Sequence, residues 1–333
     1  MMRILVIGGM QFLGRRIVEL LAERGDEVTV MHRRGSHDLG PKVRNLQADR
    51  GDLQSVARAL EAGRFDVIVD TAYDWQHGTP ASHVEAAARS AGAGLHRYVF
   101  MSSAAVYVPG LGLNEESPLV GDDEPNPYAV HKASAERLLF TMHRESGFPA
   151  VTFRPPFVHG PRQPFYREQF FWDRLLDGRP IVLPDGGDTP TQWVFVEDIA
   201  RACVRAIEVP EAAGQAFGVG HVEPLTQRIF VEALARVARI TPRFVPVARE
   251  RIRAAGGQLI GPRVYYGDYL DLAPFSAVVG KASRVLGITP TPLEEALRQG
   301  YAWYQSQPRR AVDYTFEDGL IGTSSTGAVS ELT

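Results

Sequence analysis

The stretch Arg3-Ile-Leu-Val-Ile-Gly-Gly-Met-Gln-Phe-Leu-Gly14 decides the fold of this 333-residue chain. Its apolar part, Arg3–Ile7, is typical of a strand that is buried on both faces of a sheet. The glycines after it precede a helical spacing of apolar residues over Phe12–Arg24, which ends at Gly25. Glycines between a strand and a helix let the backbone approach a pyrophosphate, and the helix N-terminus faces its negative charge. The stretch therefore predicts a dinucleotide-binding loop.

The alternation of strands and helices continues through the first half of the chain. Strands that are separated by helices predict an α/β fold, a Rossmann-like doubly wound parallel sheet. A helix is expected from Asn126-Pro127 to Ser146, because Asn is a good N-cap, Pro suits the first helical position and Gly147 ends the pattern. The other predicted elements are strands at Val28–His32, Asp66–Asp70, Tyr98–Ser102 and Val151–Arg154, and helices at Leu53–Glu61 and Ser82–Ala91.

The second half of the chain has a different pattern, rich in Pro, Phe and Tyr after Gly160. Trp193–Val196 and Ala216–Val219 are predicted strands that rejoin the sheet. We therefore expect a dinucleotide-binding domain and a smaller C-terminal substrate lobe. The expected bounds are 1–160 with 191–220 for the first domain, 161–190 with 221–316 for the lobe, and a tail at 317–333 that is disordered at its end.

Composition and charge narrow the class of protein. Hydrophobic residues make up 44% of the chain, the formal net charge is -3 and the sequence pI is about 6.3. No cluster of excess Lys and Arg indicates a membrane or nucleic-acid partner. No apolar run reaches the roughly 18 residues of a membrane span, and Ile4–Ile7 is too short for the core of a signal peptide. We therefore expect a cytoplasmic protein that acts on a small molecule.

The second predicted strand ends at His32-Arg33-Arg34. Enzymes that prefer NAD often carry an acid at this place, where it binds the ribose 2′-hydroxyl. Two arginines stand here instead, and their guanidinium groups suit a 2′-phosphate. This favours NADP over NAD, with solvated loop charges as the alternative interpretation.

Tyr128 and Lys132 are four residues apart, so on a helix they share one face. A free phenol has a pKa near 10, and a neighbouring ammonium lowers it by stabilising the phenolate. Tyr128 could then exchange a proton with a substrate hydroxyl while its carbon exchanges a hydride with the cofactor. Ser103, which follows a predicted strand, could bind the same substrate oxygen. These three residues are the candidate catalytic residues.

Taken together, these motifs resemble the extended short-chain dehydrogenase/reductases, the superfamily of sugar-nucleotide epimerases and dehydratases. The residues that carry the resemblance are the first loop, Ser103–Tyr107, Tyr128-x-x-x-Lys132, Arg154–Pro161 and Trp193–Ala200. Phe170–Pro184, with Gln11 in place of a middle loop glycine, is similar to the atypical branch that contains the chloroplast stem-loop-binding proteins. The cofactor contacts that the resemblance implies are Gly8, Gly9, Gln11, Phe12, Leu13, Gly14, His32, Arg33, Arg34, Asp49, Thr71, Ala72, Lys132 and Pro155.

Departures from the family pattern limit the substrate. Dehydratases usually carry an Asp-Glu pair where Ala104 and Ala105 stand, so 4,6-dehydration is not expected. Phe157 and Thr191 replace an Asn and an Arg that commonly hold a nucleotide diphosphate. Such a group would need other partners, for which the candidates are Arg162, Arg167 and Arg263, with an ordinary surface charge as the alternative and, for each one singly, the preferred interpretation.

The resemblance implies hydride transfer at a secondary alcohol or ketone of a sugar-like substrate, by an epimerase or a ketoreductase. The alternative is a non-catalytic NAD(P)- or RNA-binding protein of the same fold. Family members often dimerise through the helix that bears the tyrosine, which implies a possible homodimer. No metal site is expected, because His77, His83 and His96 lack the spacing of metal ligands.

Overall fold

A computed structural model describes residues 1–92, 94–257 and 273–322. The strands are β1 (Arg3–Ile7), β2 (Glu27–His32), β3 (Arg44–Gln47), β4 (Val67–Asp70), β5 (Arg97–Met101), β6 (Ala150–Phe153), β7 (Phe157–His159), β8 (Ile181–Pro184), β9 (Pro190–Thr191), β10 (Trp193–Phe195), β11 (Gln215–Phe217), β12 (Leu225–Thr226) and β13 (Phe244–Val247). The helices are α1 (Phe12–Glu23), α2 (Leu53–Gly63), α3 (Ala81–Ser90), α4 (Pro127–Ser146), α5 (Glu168–Leu176), α6 (Val196–Glu208), α7 (Gln227–Ala238), α8 (Arg249–Ala254), α9 (Gly280–Leu286), α10 (Leu293–Gln305) and α11 (Thr315–Gly322).

Contacts between residues divide the chain into two units. The first comprises Met1–Val158, Trp193–Val222 and Ala277–Thr291. The second comprises the described parts of 159–192, 223–276 and 292–333. The substrate lobe predicted from the sequence includes residues 277–291, whereas contacts in the structure group these residues with the first unit.

Seven parallel strands form the central sheet of the first unit, in the order β11-β6-β5-β4-β1-β2-β3. The predicted doubly wound α/β fold is therefore confirmed. In β1, Ile4 to Ile7 are at most 1% exposed, as expected for a strand that helices cover on both faces. One face of the sheet packs under α2, α3 and α4 through a cluster that includes Leu5, Ile68 and Phe100.

The structure differs from the strands predicted by the sequence at Trp193–Val196 and at Arg44–Gln47. The predicted strand Trp193–Val196 does not rejoin the sheet, because β11 already pairs with β6 and β10 forms a separate two-stranded sheet with β7. The edge strand β3 was not predicted, because Arg44–Gln47 is mostly polar and exposed. Its pairing with β2 supplies the strand structure that its residue pattern does not indicate.

Helix caps follow the local chemistry of the sequence. The Asp52 carboxylate accepts the Ser55 N–H at 3.0 Å and begins α2, and the Asn126 side chain accepts the Tyr128 N–H at 3.1 Å and begins α4. Gly147 ends α4 in the left-handed conformation, with φ +69°. The N-cap of α4 fixes where the first turn of this helix begins, and it thereby fixes the position of Tyr128 in that turn.

The second unit has its own core. Phe170, Phe171 and Trp172 of α5 are at most 2% exposed, so the aromatic cluster of this segment is core. Its small sheets pair β8 with β13 in parallel and β9 with β12 in antiparallel fashion. Arg174 forms a buried ion pair with Glu317 and thereby anchors α11. The predicted tail at 317–333 thus begins inside a helix, and its remainder, 323–333, lies outside the described residues.

Candidate active site

The turn between β1 and α1 has space only for glycine at two positions. Gly8 has φ +90°, and a Cβ there would lie 2.9 Å from the Ala72 backbone. A Cβ on Gly14 would overlap the Gly8 carbonyl oxygen and lie 2.9 Å from the Thr71 hydroxyl. Phe12 is held at φ +44°, a conformation that a bulky side chain rarely adopts. The turn is therefore fixed in a tight, strained shape at the helix N-terminus.

Strand β4 supports this turn from the side. The Thr71 hydroxyl donates to the Ile7 carbonyl at 3.0 Å and approaches the Gly8 carbonyl at 3.3 Å. Gln11, at the N-cap of α1, makes no capping hydrogen bond through its side chain, and the first turn carries no acidic residue. Helix N–H groups that no side chain of the cap accepts, at the positive end of the helix dipole, fit a pyrophosphate. The structure therefore brings the predicted contacts of the turn between β1 and α1 together with Thr71 and Ala72. Gly9 and Leu13, which are also predicted contacts, belong to the same turn and to the start of α1.

The end of β2 presents two exposed arginines. Arg33 and Arg34 are exposed, while their backbone carbonyls accept hydrogen bonds from the side chains of Gln47 and Asn45. His32 accepts the Arg34 N–H at 3.2 Å through Nδ1, and its buried Nε2 has no hydrogen-bond partner among the described residues. A backbone held in place beneath solvated guanidinium groups suits a phosphate ligand.

Asp49 uses its carboxylate locally. Its Oδ1 accepts the Gly51 N–H at 2.8 Å in the turn before α2. The neighbouring Asp52, and not Asp49, caps that helix. Asp49 is exposed, so its side chain is accessible to a ligand.

Tyr128 and Lys132 lie on one face of α4, as their spacing predicts. Lys132 is 4% exposed, and its Nζ donates to the Met101 carbonyl at 2.6 Å. The same Nζ lies 5.9 Å from the centre of the Tyr128 ring and 4.8 Å from that of Phe100. Burial lowers the pKa of Lys132 to about 8, against the attraction of Asp70. The amine therefore stays mostly protonated at neutral pH beside the phenol of Tyr128.

Ser103 follows β5 and caps a short 3-10 helix. Its hydroxyl oxygen accepts the Ala105 N–H at 3.2 Å, so its own proton is available to another acceptor. The Ala104 N–H donates to the Pro155 carbonyl at 2.9 Å, which places Pro155 against this segment. Lys132 donates to the carbonyl of Met101, two residues before Ser103, so the amine is bound to the end of the strand from which Ser103 follows.

The sequence reasoning missed an aromatic group around Tyr128. The Trp75 ring stacks on the Tyr128 ring at 5.0 Å between centres, with 19° between the planes. Tyr73 meets Tyr128 edge-on at 4.7 Å, and its hydroxyl lies 3.1 Å from Nδ1 of His131. The signal for these residues was their place directly after β4, at the carboxyl end of a parallel strand.

A buried polar cluster lies beneath the site and was also missed. The Arg50 guanidinium pairs with the Asp70 carboxylate at 2.5 Å, and the Tyr98 hydroxyl donates to the same oxygen at 2.7 Å. Asp70 is fully buried, and its attraction raises the pKa of Lys132 while Arg50 lowers it. The cluster thus sets the charge balance around the amine.

The residues that depart from the family pattern have other contacts. Phe157 packs against Trp193 at 5.2 Å between ring centres, and the buried Thr191 hydroxyl donates to the Leu225 carbonyl at 2.9 Å. Arg162 has φ +64° in the loop before α5, and Arg167 lies at the N-cap of that helix. Arg263 lies outside the described residues.

Within residues 1–92, 94–257 and 273–322, no group of three or more His, Cys, Asp or Glu side chains is arranged to bind a metal ion. In the same ranges, no helix combines the length and the apolar character that crossing a bilayer requires.

The chain matches one family model, and its relatives include a chloroplast protein and a bacterial reductase. The model of the NAD dependent epimerase/dehydratase family matches residues 4–220. The chain is 26% identical to the chloroplast stem-loop binding protein of 41 kDa b from Arabidopsis thaliana, over 96% of this chain and 84% of that protein. It is 31% identical to a 2-alkyl-3-oxoalkanoate reductase from Stenotrophomonas maltophilia, over 70% of this chain and 74% of the relative.

A solved structure with a similar fold is the UDP-glucuronic acid 4-epimerase from Bacillus cereus, in complex with UDP-glucuronic acid and NAD. The TM-score is 0.73 at 19% identity, over 92% of this chain and 99% of that one. At this identity the likeness concerns the fold alone.

Proposed function

The chain belongs to the NAD dependent epimerase/dehydratase family, and on this premise we propose that it transfers a hydride between a nicotinamide cofactor and a secondary alcohol or ketone. Tyr128 is the acid and base, Lys132 its modulator and Ser103 the donor to the substrate oxygen. The buried amine of Lys132, 5.9 Å from the Tyr128 ring, carries the proposal. Burying an ammonium costs free energy, and a catalytic role explains why the chain keeps one at this place.

The protein groups act on the proton and on the developing charge. When bound, the nicotinamide supplies the carbon that gives or takes the hydride. In the direction of reduction, Tyr128 gives its proton to the substrate oxygen while the Ser103 hydroxyl holds that oxygen in place. The ammonium of Lys132 stabilises the phenolate that remains on Tyr128.

The dinucleotide would lie on the turn between β1 and α1. Gly8 and Gly14 let the turn pack tightly against Thr71 and Ala72, and the N-terminus of α1 supplies N–H groups and the positive end of the helix dipole for the pyrophosphate. We propose that the 2′-phosphate of NADP binds at Arg33 and Arg34, which makes NADP the preferred cofactor. A sugar or another ring-shaped polyol is the proposed substrate, with epimerase and ketoreductase as the two forms of the reaction.

Substitution of Tyr128 by Phe tests the function. Tyr128→Phe removes the proton and keeps the ring, so turnover should fall by a factor of about 100 to 10,000 while NADPH binding is unchanged. Tyr314→Phe is a matched control, since that hydroxyl donates to Asp177 at 2.6 Å. Full turnover in Tyr128→Phe would refute the proposed role.

The cofactor preference has its own test. Replacing Arg33 and Arg34 by Ala should raise the KM for NADPH at least tenfold, because two charge-assisted contacts are lost, and should leave the KM for NADH unchanged. Arg58→Ala removes another exposed arginine, from α2, and serves as the control. Equal changes for both cofactors would contradict a 2′-phosphate site.

A second candidate function is non-catalytic binding of RNA or of a dinucleotide. It is favoured by the similarity to the chloroplast stem-loop binding protein over 96% of this chain. RNA binding that falls steeply with salt, together with Tyr128→Phe and wild type that are equally inactive on every ketone, would favour this candidate.

A further inference from the structure

The loop between β4 and α3 covers one face of the proposed catalytic phenol with an indole. Trp75 stacks on Tyr128 at 5.0 Å, and Tyr73 closes the group by meeting Trp75 edge-on at 5.0 Å. Trp75 nevertheless remains 62% exposed. Any molecule that reaches the Tyr128 hydroxyl from this side therefore meets the indole.

The loop that carries Trp75 is held in one shape by hydrogen bonds. The Asp74 carboxylate accepts the N–H groups of Gln76 at 2.9 Å and His77 at 3.1 Å, and the Asp74 N–H donates to the Thr79 hydroxyl at 2.9 Å. At Gly78, with φ +78°, an added Cβ would lie 2.5 Å from the His131 ring. The loop is thus pinned on both sides of the indole and against α4.

Trp75 is held by its ring contacts, but most of its surface lies in water and does not pack into the core. Because exposure of a large apolar ring to water is unfavourable, such a tryptophan beside a catalytic group indicates a contact with a ligand. We infer that Trp75 is a specificity-determining residue, whose indole stacks on the apolar face of an uncharged ring of the substrate beside Tyr128. The inference rests on the proposed function and adds the substrate class. The apolar face of a pyranose and an aromatic ring share this chemistry.

The charge of the loop favours an uncharged ring over a phosphate at this place. The hydrogen bond from His77, with two backbone N–H groups, lowers the pKa of Asp74 to about 2. The carboxylate next to Trp75 is therefore ionised at neutral pH and disfavours an anionic group beside the indole. Phe157 and Thr191, which replace the usual diphosphate partners, are consistent with this preference.

The test compares ketones that carry a ring with a ketone that has only an open chain. Wild type, Trp75→Leu and Trp75→Phe are assayed with NADPH on acetophenone, on a keto-pyranoside and on an open-chain hexanone. Trp75→Leu should lower kcat/KM about tenfold for a ring ketone and leave the open-chain value unchanged, while Trp75→Phe keeps most of the activity. The ring ketone with the larger loss identifies the source of the ring. Gln76→Ala, the next residue of the loop, is the matched control.

The outcomes separate this inference from the proposed function. If Tyr128→Phe abolishes turnover but Trp75→Leu changes all three ketones equally or none, the inference is wrong and the function stands. If wild type reduces none of the three with either cofactor, the inference is overturned, while epimerisation of a sugar substrate by wild type but not by Tyr128→Phe would leave the proposed function standing. Thermal melting of each variant shows whether a loss reflects unfolding, and Trp75→Phe preserves the test if Trp75→Leu does not fold.

Discussion

Replacing Lys132 by Met should make the protein more stable and inactive. The ammonium is 4% exposed, and burial lowers its pKa from the ordinary 10.5 to about 8. That difference corresponds to about 3 kcal/mol of unfavourable free energy at pH 7, when the charged amine is buried. Removing the amine also leaves the Met101 carbonyl without this donor, which costs about 1 kcal/mol. We therefore expect Lys132→Met to gain about 2 kcal/mol of unfolding free energy at neutral pH.

The pH dependence of this gain has a definite sign. The pKa of Lys132 is lower in the folded than in the unfolded chain, so the unfolded state binds more protons between these values and the contribution of this residue to stability rises with pH. The stability gap between variant and wild type should narrow by about 2 kcal/mol from pH 7 to about pH 9.5. Other titrating groups are common to both proteins and cancel in the difference.

Urea unfolding of both proteins across this pH range, with turnover measured in parallel, checks the prediction. Lys281→Met is the control, since that lysine is less buried and lies outside the candidate site. The reasoning would be refuted if Lys132→Met were less stable than wild type at pH 7, or if the difference in their unfolding free energies did not change with pH. Either result would show that contacts in the folded protein offset the cost of burying the ammonium.

Three further predictions concern single residues. Gly14→Ala should weaken NADPH binding at least tenfold in a fluorescence titration, because its Cβ would overlap the Gly8 carbonyl, whereas Gly94→Ala, with open space around it, should bind normally. Burial raises the pKa of Glu168 from 4.5 to about 7. The free energy of unfolding of wild type should therefore fall by up to about 3 kcal/mol relative to that of Glu168→Gln as the pH rises from about 4.5 to 8. A difference in unfolding free energy between the two proteins that stays constant over this pH range would contradict this. Burial also raises the pKa of Cys203, so a thiol reagent should modify it only on unfolding, and rapid modification of the native protein would refute its burial.

Most of the sheet could be predicted from the sequence, because its signals are local. Short apolar runs bounded by turn residues, such as Arg3–Ile7, are typical of buried strands, and Asn126, Pro127 and Gly147 fix the ends of α4 by capping chemistry. The pairing of β10 with β7 and the strand at Arg44–Gln47 depend on which neighbour is available in three dimensions. No local pattern carries that information.

The candidate site was predictable to a similar extent. The spacing of Tyr128 and Lys132 within one helix determines that they meet, and the glycines determine the tight turn. Trp75 reaches Tyr128 through a loop whose shape depends on Asp74 and on a close approach to His131, more than fifty residues away in sequence. Arg50, Asp70 and Tyr98 likewise come from three separate segments, so their cluster could only be found in the structure.

A crystal structure of the protein with NADPH is the most direct test of the proposed site. We predict the pyrophosphate on the turn between β1 and α1, with the Tyr128 oxygen about 3 to 4 Å from the space where a substrate carbon would face the nicotinamide. Lys132 should approach the nicotinamide ribose from the same side. A nicotinamide bound away from Tyr128, or a first turn that holds no phosphate at saturating NADPH, would contradict the assignment of Tyr128, Lys132 and Ser103.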